Sequence, residues 1–445
     1  ADMMLTGGVD TDNSPFMYMS FSKTPAFSKS NVISPFSDKA DGMLIGEGLG
    51  MVVLKRLEDA ERDGDTIYAV VKGVGTSSDG RFKSVYAPRP SGQAMAMNRA
   101  YEEAGFESKT VGLIEAHGTG TNAGDACEMT SMGMVFSANN DEKSHIALGT
   151  VKSQVGHTKA AAGAAGLLKA VLALHHKVLP PTLNVDQPTS KVDLKESPLY
   201  INTETRPWLK SNHPRRASIS AFGFGGINVH IALEEYKPQP VQKNYRIHEP
   251  YKAVVLQANS VQDLKNLCQS HLDKLATPDA EIAYWELTNQ ETTSIPNNAA
   301  RLGFMTTDLD TAKENLTLAI NKLSTSNEAW EHPKGVFFRP NGMDTSGKVV
   351  ALFSGQGSQY VGMGRQLVNA FPQLRNVISQ QDQLFTADNK TALSKTIFPI
   401  PVFNKEDAKA QQKTLTQTQN AQPAIGALSM GMYKTVQDAG FKADF

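Results

Sequence analysis

Glu115-Ala116-His117-Gly118-Thr119-Gly120-Thr121 and Lys152-Ser153-Gln154-Val155-Gly156-His157-Thr158 are the two segments on which the reading of this chain turns. Each sets one histidine in a turn of small and hydroxylated residues. Each follows an apolar run that reads as a core strand, Val111-Gly112-Leu113-Ile114 before the first and Ile146-Ala147-Leu148 before the second. Histidines at the ends of two core strands can meet in one pocket however far apart they lie in the chain. A helix of small residues opens from the second motif and runs over 160–174, and Pro180-Pro181 keeps it from continuing. Working outward, 68–74 reads as a strand and 92–105 as a helix capped by Gly105. Residues 218–234 read as a strand, a glycine turn and a second strand. Strands alternating with helices indicate a layered α/β domain.

Composition narrows the function classes. The chain has 445 residues, with Lys plus Arg at 44 against Asp plus Glu at 45, a net charge of −1. A nucleic-acid partner would need a basic surface, so none is expected. The longest apolar stretch, 160–174, is interrupted by Lys169 and is too short to span a bilayer, so no membrane partner is expected either. The first residues have no basic region followed by a long apolar run, which argues against a signal peptide. The two cysteines, Cys127 and Cys268, sit in unrelated contexts. They exclude a disulfide framework and point to a reducing cytoplasm. Adjacent His175 and His176 do not share a helix face, and no metal site is expected.

The remaining segments are read by pattern. Residues 3–8 and 51–54 read as buried strands flanking the glycine-rich 40–50, which lacks the Lys-Ser/Thr ending of a phosphate loop. Residues 236–250 are polar and proline-containing and read as a linker. A small α/β module follows, with strands at 254–256, 302–305 and 335–338 and amphipathic helices at 261–275 and 309–323. Lys348-Val349-Val350-Ala351-Leu352-Phe353 reads as a further buried strand, and 423–439 as an amphipathic helix. Both chain ends read as cuts through domains.

Both histidine motifs resemble the beta-ketoacyl synthases of the multidomain polyketide and fatty-acid type, as do Gly124-Asp125 with Glu128, Leu179-Pro180-Pro181-Thr182-Leu183-Asn184 and Gly223-Phe224-Gly225-Gly226-Ile227-Asn228. Pro35-Phe36, Ala40-Asp41-Gly42 and Gly46-Glu47-Gly48 are similar to the same family earlier in the chain. Gly355-Gln356-Gly357-Ser358-Gln359 resembles the start of a malonyl-type acyltransferase. Several loops, including Gly7-Gly8-Val9-Asp10 and Ala421-Gln422-Pro423, look most like the large bacterial subunit that builds omega-3 polyunsaturated fatty acids. The resemblance implies three domains. These are the C-terminal part of a thiolase-like layered ketosynthase at 1–236, a small α/β linker module at 237–345, and the N-terminal part of an α/β acyltransferase at 346–445.

The same resemblance implies a decarboxylative Claisen condensation of an acyl thioester with a malonyl unit. The malonyl unit would arrive on the phosphopantetheine arm of an acyl carrier protein, with no cofactor bound by the chain itself. Malonyl-CoA and acyl thioesters are the implied substrates, and the parent is expected to be a homodimer. By resemblance His117 and His157 donate N–H groups to the thioester oxygen, and Lys152 organises their pocket. Thr119 and Thr121 face the phosphopantetheine arm. Phe222 and Phe224, with Gly225 in their turn, form gate and acyl-pocket wall. Glu128 is structural, and Gln356 contributes to the acyltransferase oxyanion hole. Some relatives carry a glutamate where this chain has Gly166, so that role is not transferred. Neither cysteine has the nucleophile's setting, and no Gly-His-Ser-x-Gly elbow occurs. The chain is therefore expected to be a fragment without condensing or transfer activity. The rival reading is a non-catalytic ketosynthase-like partner that binds carrier protein and sets chain length.

Overall fold

A computed structural model describes residues 1–24, 26–81, 84, 87–236, 251–290, 295–344 and 346–445. The chain divides into two compact units, Ala1–Tyr245 with Phe353–Ala439 and Arg246–Leu352 with Gly440–Phe445. The grouping puts Phe353–Ala439 with the ketosynthase-like residues, whereas the sequence division treats 346–445 as a unit of its own. The expected linker lies almost wholly outside the described residues, as does part of the loop over 77–90.

The first unit opens with β1 (Met3–Asp10), α1 (Pro15–Lys23), β2 (Gly48–Lys55) and α2 (Leu57–Asp63). It continues with β3 (Val70–Ser78), α3 (Pro90–Ala104), β4 (Leu113–Glu115) and α4 (Asn122–Phe136). Then come β5 (Ile146–Gly149), α5 (Lys152–Val155), α6 (Ala162–His176), β6 (Val178–Leu179), β7 (Leu199–Ile201) and β8 (Arg206–Pro207). The hairpin of β9 (Arg216–Gly223) and β10 (Ile227–Glu234) closes this part. Six strands form one mixed sheet in the order β3-β10-β9-β4-β5-β7. Strands β9, β4, β5 and β7 run parallel, and β10 is antiparallel to both its neighbours.

Successive side chains of a strand point to opposite faces, and here each face finds its own helices. Ile114, Leu148 and Ile201 are buried with Met97 and Tyr101 of α3 and Met132 and Phe136 of α4. Leu113, Ala147 and Tyr200, one residue earlier in each strand, are buried with Ala170, Ala173 and Leu174 of α6. Each fully buried aliphatic or aromatic side chain contributes roughly 1.5–3 kcal/mol, so this alternation commits the register. Small residues bring the layers close. A Cβ at Gly73 or Gly75 of β3 would collide with the backbone of Ala100 and Ala96 in α3. The result is the layered α/β arrangement expected from sequence.

Two expectations about burial fail. β1 and β2 do pair, over Met3↔Lys55 to Asp10↔Gly48, but they form a sheet of two strands. Among the described residues one face has a cover: Gly8 and Gly50 lie against Ala160, Ala164 and Leu168. Leu5 is 65% exposed and Val53 59%. An apolar run specifies a strand but not a neighbour to bury it. Residues 348–353 are not a strand at all, and Leu352 is 90% exposed. A ladder needs a partner, and among the described residues the backbone of Val349 and Ala351 meets Asp444 and Phe445.

The second unit holds β11 (Lys252–Ala258), α7 (Val261–Lys274), α8 (Ala280–Thr288), β12 (Ala300–Thr306), α9 (Leu309–Leu323), β13 (Trp330–His332) and β14 (Val336–Arg339). Its sheet has the order β11-β12-β14-β13. Leu264, Cys268, Leu316 and Leu323 are buried with Leu256, Leu302 and Phe338 in one core. Pattern reading missed α8 and β13. Back in the first unit, α10 (Arg365–Ala370), α11 (Pro372–Ala387), α12 (Leu393–Ile397), α13 (Lys405–Thr416) and α14 (Thr418–Asp438) enclose a core of Val368, Leu374, Ile378, Leu393, Leu415 and Ala424. The Arg206 guanidinium at β8 donates to the Phe398 carbonyl at the end of α12. Among the described residues no helix is long and apolar enough to cross a membrane.

His230 is fully buried between layers. Its Nδ1 pairs with Ser220 Oγ at 3.0 Å and its Nε2 with Tyr101 Oη at 3.1 Å. Burial depresses its pKa from the usual 6.5 to about 3. Between those values the unfolded chain holds a proton that the folded chain refuses, so this group makes stability fall as pH drops below 6.5. The expected slope is about 1.4 kcal/mol per pH unit. His230→Gln should flatten the acid side of the stability profile by about that amount. Urea unfolding of both proteins at about pH 7, 6 and 5 checks this; equal slopes would show that His230 takes no part.

Candidate active site

β4 and β5 lie side by side and parallel, so the two histidine motifs leave the same edge of the sheet together. The His117 and His157 rings stand 5.5 Å apart between centroids, edge to face at 84°. Both line one cavity of about 680 Å³. Lys152 lines it too, from the first turn of α5, as do Thr119, Thr121, Phe222 and Phe224.

Each imidazole is fixed at one nitrogen by a backbone N–H. Phe222 donates to Nδ1 of His117 at 3.3 Å, and Lys159 donates to Nδ1 of His157 at 3.0 Å. A neutral ring that accepts at Nδ1 carries its proton on Nε2. Both rings are held neutral. Burial, then the Lys152 charge, keeps His117 well below the usual 6.5. Burial, then Lys152 and Lys159, takes His157 to about 3. The cavity therefore has two neutral imidazoles, each with one N–H to offer.

Carboxylates brace the turn that carries His117. Glu128, on α4, accepts the N–H of His117 at 2.7 Å and that of Gly118 at 2.8 Å. Asp125, one turn earlier, accepts Phe36 N–H at 2.7 Å and Gly120 N–H at 3.1 Å. Burial raises both acids against these hydrogen bonds, Asp125 to about 7. Burial lowers Lys152, opposed by the charges of Glu115, Glu128 and Asp125. A lysine and its acids are thus packed together behind the histidines, each offsetting the other's desolvation.

Two members of this charge cluster were not singled out from sequence. Glu115 accepts Val151 N–H and pairs with Lys169 of α6 at 2.9 Å, both side chains buried. A Cβ on Gly166 would stand 3.2 Å from Glu115 Cγ. The space beside Gly166 is therefore filled by Glu115. The signal was visible: Lys169 is the one charge in an otherwise apolar helix face.

The other expected site residues divide. Thr119 and Thr121 share a hydrogen bond of 2.9 Å, and Thr121 also caps α4 by accepting Gly124 N–H at 3.2 Å. Phe222 is buried with its ring 5.9 Å from His117, while Phe224 is exposed. Gly225 shapes the hairpin turn, but its neighbours Gly223, Phe224 and Gly226 line the cavity. Gly226 has φ +76°, and a Cβ there would meet Asp79 at 2.7 Å. Asp79 in turn accepts from Asn228 at 2.7 Å, which fastens the hairpin. Gln356 lies outside this cavity. It donates to Thr418 at 3.3 Å and accepts from Gln422 at 3.3 Å, a partner the sequence reading had not assigned to it. Cys127 and Cys268 are buried thiols, and burial pushes each up to about 12.

Glu128→Ala would leave two backbone N–H groups without an acceptor and should destabilise the fold by about 3 kcal/mol. Glu128→Gln keeps one acceptor and should lose less. Chemical denaturation measures both, and an alanine variant as stable as wild type would remove the brace.

Residues 1–60 match the beta-ketoacyl synthase N-terminal domain family, and residues 68–186 match its C-terminal domain. Residues 188–301 match the ketoacyl-synthetase C-terminal extension, and 350–445 the acyl transferase domain. A polyunsaturated fatty acid synthase polypeptide of Thraustochytrium sp. is 41% identical over 472 aligned residues, covering 100% of this chain and 17% of that protein. Polyketide synthase PksL of Bacillus subtilis is 40% identical over 61% of this chain and 6% of its own length. The ketosynthase from module 6 of the bacillaene synthase of Bacillus subtilis superposes with a TM-score of 0.52 at 34% identity, covering 73% of this chain and 56% of that one. The chain spans about a sixth of the first of these relatives and less of the second. With its two histidines on adjacent parallel strands, the chain belongs to the multidomain beta-ketoacyl synthases that also carry an acyltransferase domain.

Proposed function

We propose that this chain works within a polyunsaturated fatty acid or polyketide synthase, and that His117 and His157 are the paired N–H donors of its condensation site. The observation that carries this reading is the matched fixing of the two rings. Each Nδ1 is occupied by a backbone N–H, and each ring is neutral in one shared cavity.

The chemistry needs such a pair. A malonyl thioester loses carbon dioxide by cleavage of the bond to its carboxylate, and the electron pair moves into an enolate. Negative charge then builds on the thioester oxygen. Two preorganised donors stabilise that oxygen without reorganising when the charge appears. The enolate carbon attacks the acyl thioester carbonyl, and the thiolate leaves. A protonated imidazole would have to be deprotonated before it could hold the observed Nδ1 bond, so neutrality is part of the design. Lys152 would support the site by its charge, felt together with the charges of Glu115, Glu128 and Asp125.

The reading extends to the substrates. The malonyl unit would come from malonyl-CoA by way of an acyl carrier protein, and its phosphopantetheine arm would pass Thr119, Thr121 and Phe224 at the cavity. Phe222 would border the acyl chain. Gln356, with Gln422 beside it, would serve the acyltransferase oxyanion. We take residues 1–236, 237–345 and 346–445 as parts of the three domains, in a parent that is dimeric and cytoplasmic. With no cysteine set as a nucleophile, the 445-residue chain by itself should be inactive.

In an intact synthase carrying this segment, His117→Ala or His157→Ala should lower the condensation rate by ~10²–10³ with the protein still folded. Assaying carbon dioxide release and ketoacyl product from acyl and malonyl thioesters measures this. Wild-type rates in either variant would defeat the assignment. Condensation by the 445-residue chain alone would defeat the expectation that it is inactive.

A further inference from the structure

Lys159 stands next to the second histidine motif and has a costly backbone. Its φ is +48°, a left-handed conformation that residues with a Cβ avoid. Its N–H donates to Nδ1 of His157, two residues earlier, and the left-handed turn carries the chain onward from that peptide. Its side chain does not reach for solvent. The ammonium donates to Asn13 Oδ1 at 2.8 Å and to the Gly46 carbonyl at 2.8 Å, and pairs with Asp10 at 3.1 Å. Only 7% of the Lys159 side chain is exposed. Asp10 also accepts the N–H of Ala160 at 3.3 Å, gripping the same turn from its other side. Two of these anchors, Asp10 and Asn13, lie at the end of β1 and just past it. A segment far back in the chain therefore holds the turn that orients the histidine.

We propose that Lys159 is a positioning residue for His157, its anchored side chain holding the left-handed backbone whose N–H fixes the ring as the Nε2–H tautomer. This rests on the reading of His157 as an N–H donor, and it says how that donor nitrogen is selected. A lysine is suited to the task because one ammonium can satisfy three oxygen acceptors at once. Without those anchors nothing offsets the strain at a residue with a Cβ. The turn would relax to right-handed backbone, and the N–H would leave Nδ1. His157 could then place its proton on either nitrogen, and half of the donor pair would lose its definition. Glycine adopts the left-handed conformation at no steric cost, which separates the backbone's part from the side chain's.

Long-range proton–nitrogen NMR of the 445-residue chain labelled with 15N-histidine reads the tautomer directly. The His157 signals are identified by their loss in His157→Gln. Wild type should show Nε2–H. In Lys159→Met the ratio of Nε2–H to Nδ1–H should fall by about tenfold, the scale of left-handed strain at a residue with a Cβ. Lys159→Gly should keep the wild-type pattern. A folded Lys159→Met with the wild-type tautomer overturns the proposal. So does Lys159→Gly disturbed as much as the methionine variant. If Lys159→Met does not fold, Asp10→Asn combined with Asn13→Ala keeps the lysine and removes two of its anchors. That pair should shift the ratio in the same direction, and an unchanged ratio overturns the proposal. The spectrum is read without substrate. If His157 proves dispensable for condensation, the catalytic reading fails while this result stands.

Discussion

Two backbone N–H groups, those of Phe222 and Lys159, decide which nitrogen of each imidazole carries its proton. The rest of the site is arranged so that these two bonds can form. Phe222 is delivered by the β9–β10 hairpin, whose turn is fastened through Gly226, Asp79 and Asn228. Lys159 is delivered by a strained turn anchored to β1. The two histidines arrive on β4 and β5, neighbours in the sheet. Three segments distant in the chain therefore meet at two rings, and a shift in any of them changes what the rings can donate.

Behind the rings lies a second constraint, the burial of charge. Lys152, Glu128, Asp125 and Glu115 are buried, and the Lys169 side chain nearly so. Isolated, any of them would be costly to bury. Together they offset one another, and their hydrogen bonds are spent on the backbone of the site. Glu128 holds the His117 turn, Asp125 holds Phe36 and Gly120, and Glu115 holds Val151 just before Lys152. The charge cluster is thus the frame of the loops as well as a field around the histidines. It also explains why neither ring gains a proton: burial and a nearby lysine both disfavour imidazolium.

Much of this was legible in residues read in order. The alternation of apolar residues in 111–114 and 146–148 identified two core strands, and Gly105 marked a helix end that has φ +69°. The matched Gly and Thr settings of His117 and His157 pointed to one shared site. Other features were not legible for a physical reason. Met3, Met4 and Leu5 are apolar and form a strand, yet they are exposed, because burial belongs to the neighbour as much as to the residue. Residues 348–353 have strand composition and no ladder, because hydrogen bonds of a strand are made between segments. The Glu115–Lys169 pair was hidden because its members lie on different elements, although Lys169 stood out as a charge in an apolar helix.

The sequence by itself determined the family and the layered α/β class, and it drew attention to the two histidine motifs, because local periodicity and short motifs are written in adjacent residues. It also argued that neither Cys127 nor Cys268 has a nucleophile's setting, since one follows the first histidine within Gly124-Asp125 to Glu128 and the other lies in the linker module. Only the tertiary structure decided the protonation geometry of the site. A tautomer depends on which donor faces Nδ1, and Phe222 reaches His117 only through the pairing of β9 with β4 and β10. The anchoring of Lys159 by Asp10, Asn13 and Gly46 was likewise beyond any local pattern. Those contacts join residues that become neighbours only when the chain has closed around them.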